Sequence, residues 1–192
     1  MAQIILQNKI SKTVASLIDR SIQSVNIPYG ITQIADSAFR FCWYLSIVSI
    51  PDSVTYIGPS AFSFCASLRN IVIPDSVTSI GEEAFINTSL STITLSNNLV
   101  SISDKAFRSI GTLENITIPG SITQIGANAF NSCEKLVSVT VLAASPPTLG
   151  NGYVFSYASE NLVIYVPSES VEAYKTATYW SNYASIIQAI PI

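Results

Sequence analysis

The sequence predicts an α/β fold: a solenoid of strand–helix repeats wound into a right-handed superhelix, with one parallel sheet on its concave side. Two recurring residues lead to this prediction. A proline returns at nearly constant spacing, at Pro28, Pro51, Pro74 and Pro119, with Ser96 in its place in the fourth copy. A phenylalanine recurs with the same spacing, at Phe39, Phe62, Phe85, Phe107 and Phe130. A fixed period of about 23 residues is typical of stacked, identical supersecondary units.

Each repeat begins with the pattern L-x-x-I-x-I-P, as in residues 45–51 and 113–119. Apolar residues at positions one, four and six predict a strand with one buried face. Proline ends the strand because it has no N–H to donate to a neighbour. The pattern predicts parallel strands near residues 24–27, 47–50, 70–73, 92–95, 115–118, 138–141 and 162–166.

The rest of each repeat reads as a turn, a short extended piece and a helical turn. Asp52 and Ser53 are typical turn residues. A glycine such as Gly58 or Gly81 follows, and we expect it to supply a backbone angle that other residues resist. The motif A-F-x-x-C then places Phe and Cys three residues apart, on one face of a short helix.

The chain divides into three parts. Residues 1–21 are interpreted as an N-terminal leader or cap, and residues 22–143 as five repeats of about 23 residues. Residues 144–192 are interpreted as a degenerate sixth repeat, with Phe155 in phase, followed by a C-terminal cap. Within that cap, Ser168 is a candidate N-cap for a short helix around residues 171–177.

The composition argues against several classes of function. The chain has no histidine, only 11% charged residues and a net charge of -3. Its nine basic residues are scattered, which argues against nucleic acid as a partner. No apolar run approaches the roughly 20 residues that span a bilayer, so membrane insertion is not expected. We predict no catalytic, cofactor-binding or metal site, and hence no enzyme.

Three cysteines, Cys42, Cys65 and Cys133, occupy one repeat position. A disulfide between Cys42 and Cys65, or a metal site, is one interpretation. The favoured interpretation is that all three are free and buried, because cysteine behaves as a small hydrophobic residue in a core. Carboxylates such as Asp52, Asp75, Asp104, Glu82 and Glu83 are explained by turns and helix starts rather than by acid–base chemistry.

The strand pattern, joined to S-V-T-x-I-G-x-x-A-F-x-x-C, resembles the BspA-like (Treponema pallidum type) leucine-rich repeats. The resemblance covers about residues 22–190 and includes the terminal run A-S-P-P-T, I-Y-V-P and V-E-A-Y-K. It implies a leucine-rich-repeat solenoid without catalytic residues. It also implies a bacterial module for adhesion and protein binding, at the cell surface or secreted as part of a longer protein. Its partner would be a protein or glycan on a host or neighbouring cell.

A second functional interpretation stays open. Similar repeats occur in proteins of gut bacteriophage, and no signal peptide is evident in the first 20 residues. The alternative is therefore a virion or tail-associated structural or receptor-contact protein, located in the virion or the cytoplasm.

Two surfaces are candidate binding sites. The first is the outward side of the concave strands, with Ser49, Arg69, Val72, Thr94, Glu114 and Thr117. It can equally be a plain solvated sheet face, since Thr and Val favour strands. The second is an aromatic edge with Phe41, Trp43 and Tyr44. Those rings can instead pack between the first two repeats, or against residues 1–21.

Overall fold

The computed structural model describes residues 9–10 and 19–192. The chain forms a solenoid of about seven turns, and every β-strand pairing in it is parallel. Each repeat contributes three sides: a strand of three or four residues, a strand of two residues, and a turn segment. The predicted parallel solenoid is confirmed, but its α/β strand–helix character is not.

The longer strands lie where the sequence predicts them, to within one residue at each end. They are β2 (Ser24–Asn26), β4 (Ile47–Ser49), β6 (Asn70–Val72), β8 (Thr92–Thr94), β10 (Asn115–Ile118), β12 (Ser138–Val141) and β14 (Val163–Val166), and the cap adds β15 (Ile187–Ala189). The prediction of one continuous sheet is wrong. The strands pair in three separate groups, β2–β4, β6–β8 and β10–β12–β14–β15. Strands of three residues exchange so few hydrogen bonds that a small displacement removes the pairing at a junction.

A second line of strands holds the repeats together without interruption. These strands have two residues each: β1 (Lys9–Ile10), β3 (Gln33–Ile34), β5 (Tyr56–Ile57), β7 (Ser79–Ile80), β9 (Ser101–Ile102), β11 (Gln124–Ile125) and β13 (Thr148–Leu149). They form one seven-stranded sheet in chain order. The sequence predicts these pieces as extended, but not that they pair.

The third side is a ladder of turns, so the helical turn predicted for each repeat is wrong. The N–H of Phe39 donates to the carbonyl of Ala61 in the next repeat, at 2.7 Å, whereas the N–H of Arg40 donates to Ser37 in its own turn, at 3.2 Å. Two residues four apart adopt the left-handed conformation and interrupt any helix. These pairs are Ser37 and Phe41, Ser60 and Phe64, Glu83 and Asn87, Lys105 and Ser109, and Asn128 and Ser132.

The core contains a column of stacked phenylalanine rings, one from each repeat. Its members are Phe39, Phe62, Phe85, Phe107, Phe130 and Phe155. Neighbouring ring centroids are 5.2–5.6 Å apart, and the ring planes differ by 6–12°. All six rings are buried. Since each ring touches the next, the column ties every repeat to its neighbours.

The repeat glycines are explained by close packing and not by their backbone angle, which corrects the expectation from sequence. A Cβ on Gly81 would lie 2.4 Å from the backbone nitrogen of Pro59, and one on Gly126 would lie 2.4 Å from that of Asp104. Neither glycine has a positive φ; among glycines of the described chain, only Gly30 does. A Cβ at either position would therefore require the neighbouring repeat to shift, as the stack must do around Ser103, the equivalent residue of the fourth repeat.

A C-terminal cap covers the last ring of the column. Phe155 contacts Trp180 at 6.0 Å and Tyr183 at 5.5 Å between ring centroids. The buried Trp180 and Tyr174 donate hydrogen bonds of 2.7 Å to the carbonyls of Pro147 and Ala143. Helix α1 (Val171–Thr176) lies between two 3₁₀ segments, Ser168–Ser170 and Trp180–Ile186. The α-helix is the predicted one, but Ser168 lies in the preceding 3₁₀ turn and does not cap it.

Candidate functional site

The outward residues of β2, β4, β6, β8, β10, β12 and β14, with the residues that flank these strands, form a surface that we call the strand face. All six residues predicted to lie on it are exposed: Ser49, Arg69, Val72, Thr94, Glu114 and Thr117. Val72 and Thr94 are register partners in neighbouring strands, and Thr117 pairs with Thr140 in the same way. The solenoid therefore aligns these residues along its length, and binding by them stays a prediction.

Two grooves lie on this face at the places where neighbouring strands are not paired. One of about 770 Å³ lies where β4 and β6 are unpaired, and its lining includes Ile47, Ser49, Asn70 and Val72. The other, of about 400 Å³, lies where β8 and β10 are unpaired. Thr94 lines both grooves. The strand face is therefore concave at both junctions.

The sequence interpretation missed one outward residue in each repeat. Ile47, Asn70, Thr92 and Asn115 occupy the third position of the strand pattern, and all four are exposed. The signal was present, since residues two apart in a strand share a face. Position three therefore lies on the same side as position five.

The strand face is mostly polar and carries few charges. Four exposed apolar side chains lie on it, at Ile47, Val72, Val137 and Leu142. Ile47 and Val72 are each 65% exposed. Asp75 lies at the edge of the larger groove, where its carboxylate accepts the N–H of Asn97 at 2.8 Å. Such a surface can offer apolar contact and hydrogen bonds, but little long-range electrostatic attraction.

Three aromatic rings of the first two repeats form a second surface, the aromatic cluster of Phe41, Trp43 and Phe64. The ring centroids of Phe41 and Phe64 are 5.0 Å apart, and those of Phe41 and Trp43 are 5.4 Å apart. Trp43 is 46% exposed, while both phenylalanines are half-buried. The guanidinium carbon of Arg40 lies 4.7 Å from the centroid of the Phe41 ring.

This cluster differs from the aromatic edge predicted from sequence. Tyr44 is 61% exposed, and the ring contacts found in the described chain do not include it. Phe64 takes its place, since it follows Phe41 by one repeat. The contact between Phe41 and Phe64 also supports the other interpretation, that these rings pack between repeats one and two.

The cysteines are free and buried, as predicted. The thiol of Cys133 donates to the carbonyl of Phe107 at 3.2 Å. Burial raises the pKa of both Cys65 and Cys133 to about 12. These thiols therefore stay protonated and serve as core residues with a hydrogen bond to the preceding repeat.

Four of the five carboxylates singled out from sequence have structural partners, and that of Asp75 is described above. Lys105 pairs with Glu82 at 3.1 Å and with Glu83 at 3.2 Å. The carboxylate of Asp104 accepts the N–H of Ala127 at 2.7 Å. In the described part of the chain, no three His, Cys, Asp or Glu side chains are grouped to hold a metal ion. Across the same residues, no helix has the length and apolar character to span a membrane.

Several solved structures are similar to this chain. A leucine-rich repeat protein of Bacteroides ovatus is 29% identical, with a TM-score of 0.62, over 77% of this chain and 40% of its own length. The present chain thus spans less than half of that protein. The leucine-rich repeat protein of T. pallidum is 28% identical, with a TM-score of 0.62, over 85% of this chain and 82% of its own. A leucine-rich cell surface protein of Faecalibacterium prausnitzii is 21% identical, with a TM-score of 0.49, over 89% of this chain and 64% of its own.

The comparison with protein families agrees with the strand and turn pattern of the repeats. No curated protein shows significant similarity to the chain. The profile of the BspA type leucine-rich repeat region matches residues 8–137 in six copies, which is more than half of the sequence. The chain therefore belongs to the BspA-type leucine-rich repeat family.

Proposed function

We propose that the chain is a non-enzymatic adhesion module, displayed at a cell surface or secreted, whose strand face contacts a protein on a host or neighbouring cell. The observation that carries this proposal is the exposed row of Ser49, Val72, Thr94 and Thr117 beside two grooves. Stacked repeats build extended surfaces of this kind, and leucine-rich repeats generally use them for binding.

The shape and chemistry of the strand face favour an extended protein segment as the ligand. The larger groove holds Ile47 and Val72, whose exposed side chains can cover an apolar residue of the partner. Asn70 and Thr94 offer hydrogen-bonding groups beside them. An extended segment can follow the row from one groove to the other, since Thr94 lines both.

Electrostatics should contribute little to this binding. Arg69 and Glu114 flank the row and have opposite charges, and the carboxylates of Asp52 and Asp75 lie at the larger groove. Attraction between exposed charges is screened over about 8–10 Å at physiological salt. Affinity through the strand face should therefore change little between low and moderate salt concentration.

Substitution of Thr94 tests the proposal, with Thr78 as the matched control. Both threonines are exposed, but Thr78 precedes β7 on the side of the two-residue strands. The chain would be screened against immobilised extracellular-matrix and cell-surface proteins, and each variant measured against the proteins that bind. Thr94→Arg should abolish binding, because its side chain would obstruct both grooves, whereas Thr78→Arg should bind like the original.

Circular dichroism and urea unfolding would establish that both variants are folded. The proposal is wrong if Thr94→Arg retains full affinity, or if Thr78→Arg loses as much affinity as Thr94→Arg.

A further inference from the structure

The two grooves of the strand face differ in the chemistry of their lining. The larger groove carries the exposed apolar side chains of Ile47 and Val72 and the carboxylates of Asp52 and Asp75. The smaller groove, where β8 and β10 are unpaired, is lined in the described chain by uncharged residues, and Leu142 is the one exposed large apolar side chain among them. The two grooves therefore suit different parts of a ligand.

Six hydrogen-bonding side chains form a grid in the smaller groove. They come from the third and fifth positions of the strand pattern in three successive strands: Thr92, Thr94, Asn115, Thr117, Ser138 and Thr140. Asn115 is the register partner of Ser138, and Thr117 is that of Thr140. Each of these side chains can both donate and accept a hydrogen bond. A peptide backbone, which carries an N–H and a C=O at nearly every residue, needs partners of both kinds.

Asn115 is the asparagine of the two grooves whose side chain is free to bind. The side-chain oxygen of Asn70 accepts the hydroxyl of Thr92, and the side-chain amide of Asn97 donates to the carboxylate of Asp75 at 3.3 Å. Asn115 is exposed, and its side chain forms no hydrogen bond within the described chain. An amide presents its oxygen and its N–H side by side, so it can bind the N–H and the C=O of one extended residue at the same time.

We propose that the strand face binds the backbone of an extended segment in the smaller groove, through Asn115, and an aliphatic side chain of that segment in the larger groove. This inference rests on the proposed function and specifies how the ligand is held. The sequence of the segment should matter at the larger groove and hardly at the smaller one, since the backbone groups are the same at every residue except proline.

The spacing of the grooves sets the distance between the two contacts along the ligand. The grooves lie two repeats apart, and the core rings of Phe62, Phe85 and Phe107 follow one another at 5.3 and 5.4 Å in this part of the stack. The grooves are thus separated by about 10 Å, twice the usual spacing of paired strands. An extended chain advances about 3.3 Å per residue, so about three residues cover this distance.

Selection of peptides tests this inference before the natural partner is identified. The probe is a phage-displayed library of random decapeptides, selected on the complete chain after removal of the phage that bind Thr94→Arg. The enriched peptides should share an aliphatic residue at one position. They should share no residue at the position about three away, because that residue is held through its backbone.

Methylation of the backbone of one enriched peptide then separates backbone from side-chain recognition. A methyl group on the nitrogen of the residue held by Asn115 should weaken binding about tenfold, the usual effect of losing one hydrogen bond. Alanine at the same residue should bind like the original peptide. Methylation of the next nitrogen is the control and should have little effect, because successive N–H groups of an extended chain point to opposite sides.

Substitution of Asn115 assigns the contact to the chain. Asn115→Asp keeps the shape of the side chain but removes both of its N–H donors, so it should bind the enriched peptide about tenfold more weakly. Asn161→Asp is the matched control, because Asn161 is exposed and lines neither groove. It should bind like the original. Both variants should keep the original circular dichroism spectrum and urea midpoint, since both side chains are exposed.

The outcomes separate this inference from the proposed function. If the enriched peptides require Thr94 but bind Asn115→Asp with full affinity, or tolerate methylation at every nitrogen, backbone recognition is wrong and the strand face is still a binding site. If Asn161→Asp weakens binding as much as Asn115→Asp, the added charge explains the loss and the role of Asn115 is wrong. If no peptide distinguishes the original chain from Thr94→Arg, both proposals are wrong.

Discussion

The thiol of Cys65 donates to the carbonyl oxygen of Phe39 across 3.2 Å, although the two residues are 26 positions apart. The same bond joins Cys133 to Phe107. In both cases the sulfur lies one repeat beyond the carbonyl and is buried, so the thiol links two repeats inside the core. The recurring cysteine is thus a small core residue that also satisfies a backbone carbonyl.

Because of these thiols, the free energy of unfolding should fall as the pH rises above 9. Burial raises the pKa of Cys65 and Cys133 from 9.0 to about 12. Above pH 9 the unfolded chain releases these protons while the folded chain keeps them. Stability from the raised pKa is therefore present below pH 9 and is lost as pH rises toward 12. Well above pH 9, each thiol should lower the free energy of unfolding by about 1.4 kcal/mol per pH unit.

Urea unfolding between pH 8 and pH 10.5 measures this effect. The double variant Cys65→Ala with Cys133→Ala should lose less stability over that range, even though its stability at pH 8 is lower. Tyrosines and lysines titrate in both proteins, so the difference between the two slopes isolates the thiols. Equal slopes would contradict the prediction.

Replacement of a repeat glycine should destabilise the stack. In Gly81→Ala the new Cβ would lie 2.4 Å from the backbone nitrogen of Pro59, so the backbone of one of the two repeats must shift. We expect a loss of about 1–3 kcal/mol in the free energy of unfolding, the range for overpacked sites. Gly111→Ala is the control, because no atom lies within 4 Å of its Cβ position. Thermal or urea unfolding in which both variants lose the same stability would refute the close-packing explanation.

Truncation in the phenylalanine column should be costly. Phe85 stacks on Phe62 at 5.3 Å and on Phe107 at 5.4 Å, and it is fully buried. Phe85→Ala should reduce the free energy of unfolding by about 3–5 kcal/mol, as for other buried aromatic residues. Tyr29→Ala is a control, since Tyr29 is 85% exposed. A loss below about 1 kcal/mol for Phe85→Ala would show that the ring is not central to the core.

The sequence predicts some parts of the binding surfaces better than others. It identifies Val72 and Thr94 as outward neighbours, because alternation along a strand and a fixed period are both visible in one chain. It does not predict which strands pair, because β4 and β6 carry the same pattern as the paired β6 and β8. Likewise, Tyr44 is adjacent to Trp43 in sequence, but the ring that contacts the Trp43 ring belongs to Phe64, which lies in the next repeat.

The repeat, the positions of the longer strands and the buried side chains can all be read from the sequence, since each follows from a period of about 23 residues. The conformation of the turn side depends on contacts between repeats. The A-F-x-x-C spacing suits a helical turn, yet the N–H of Phe39 donates its hydrogen bond to the carbonyl of Ala61 in the next repeat. Once alternate N–H groups bond to a neighbouring repeat, the backbone must bend at two left-handed residues in each turn. Those bends place Phe41 and Phe64 side by side at the surface, because the hydrogen-bond partners lie in another repeat and not in the local sequence.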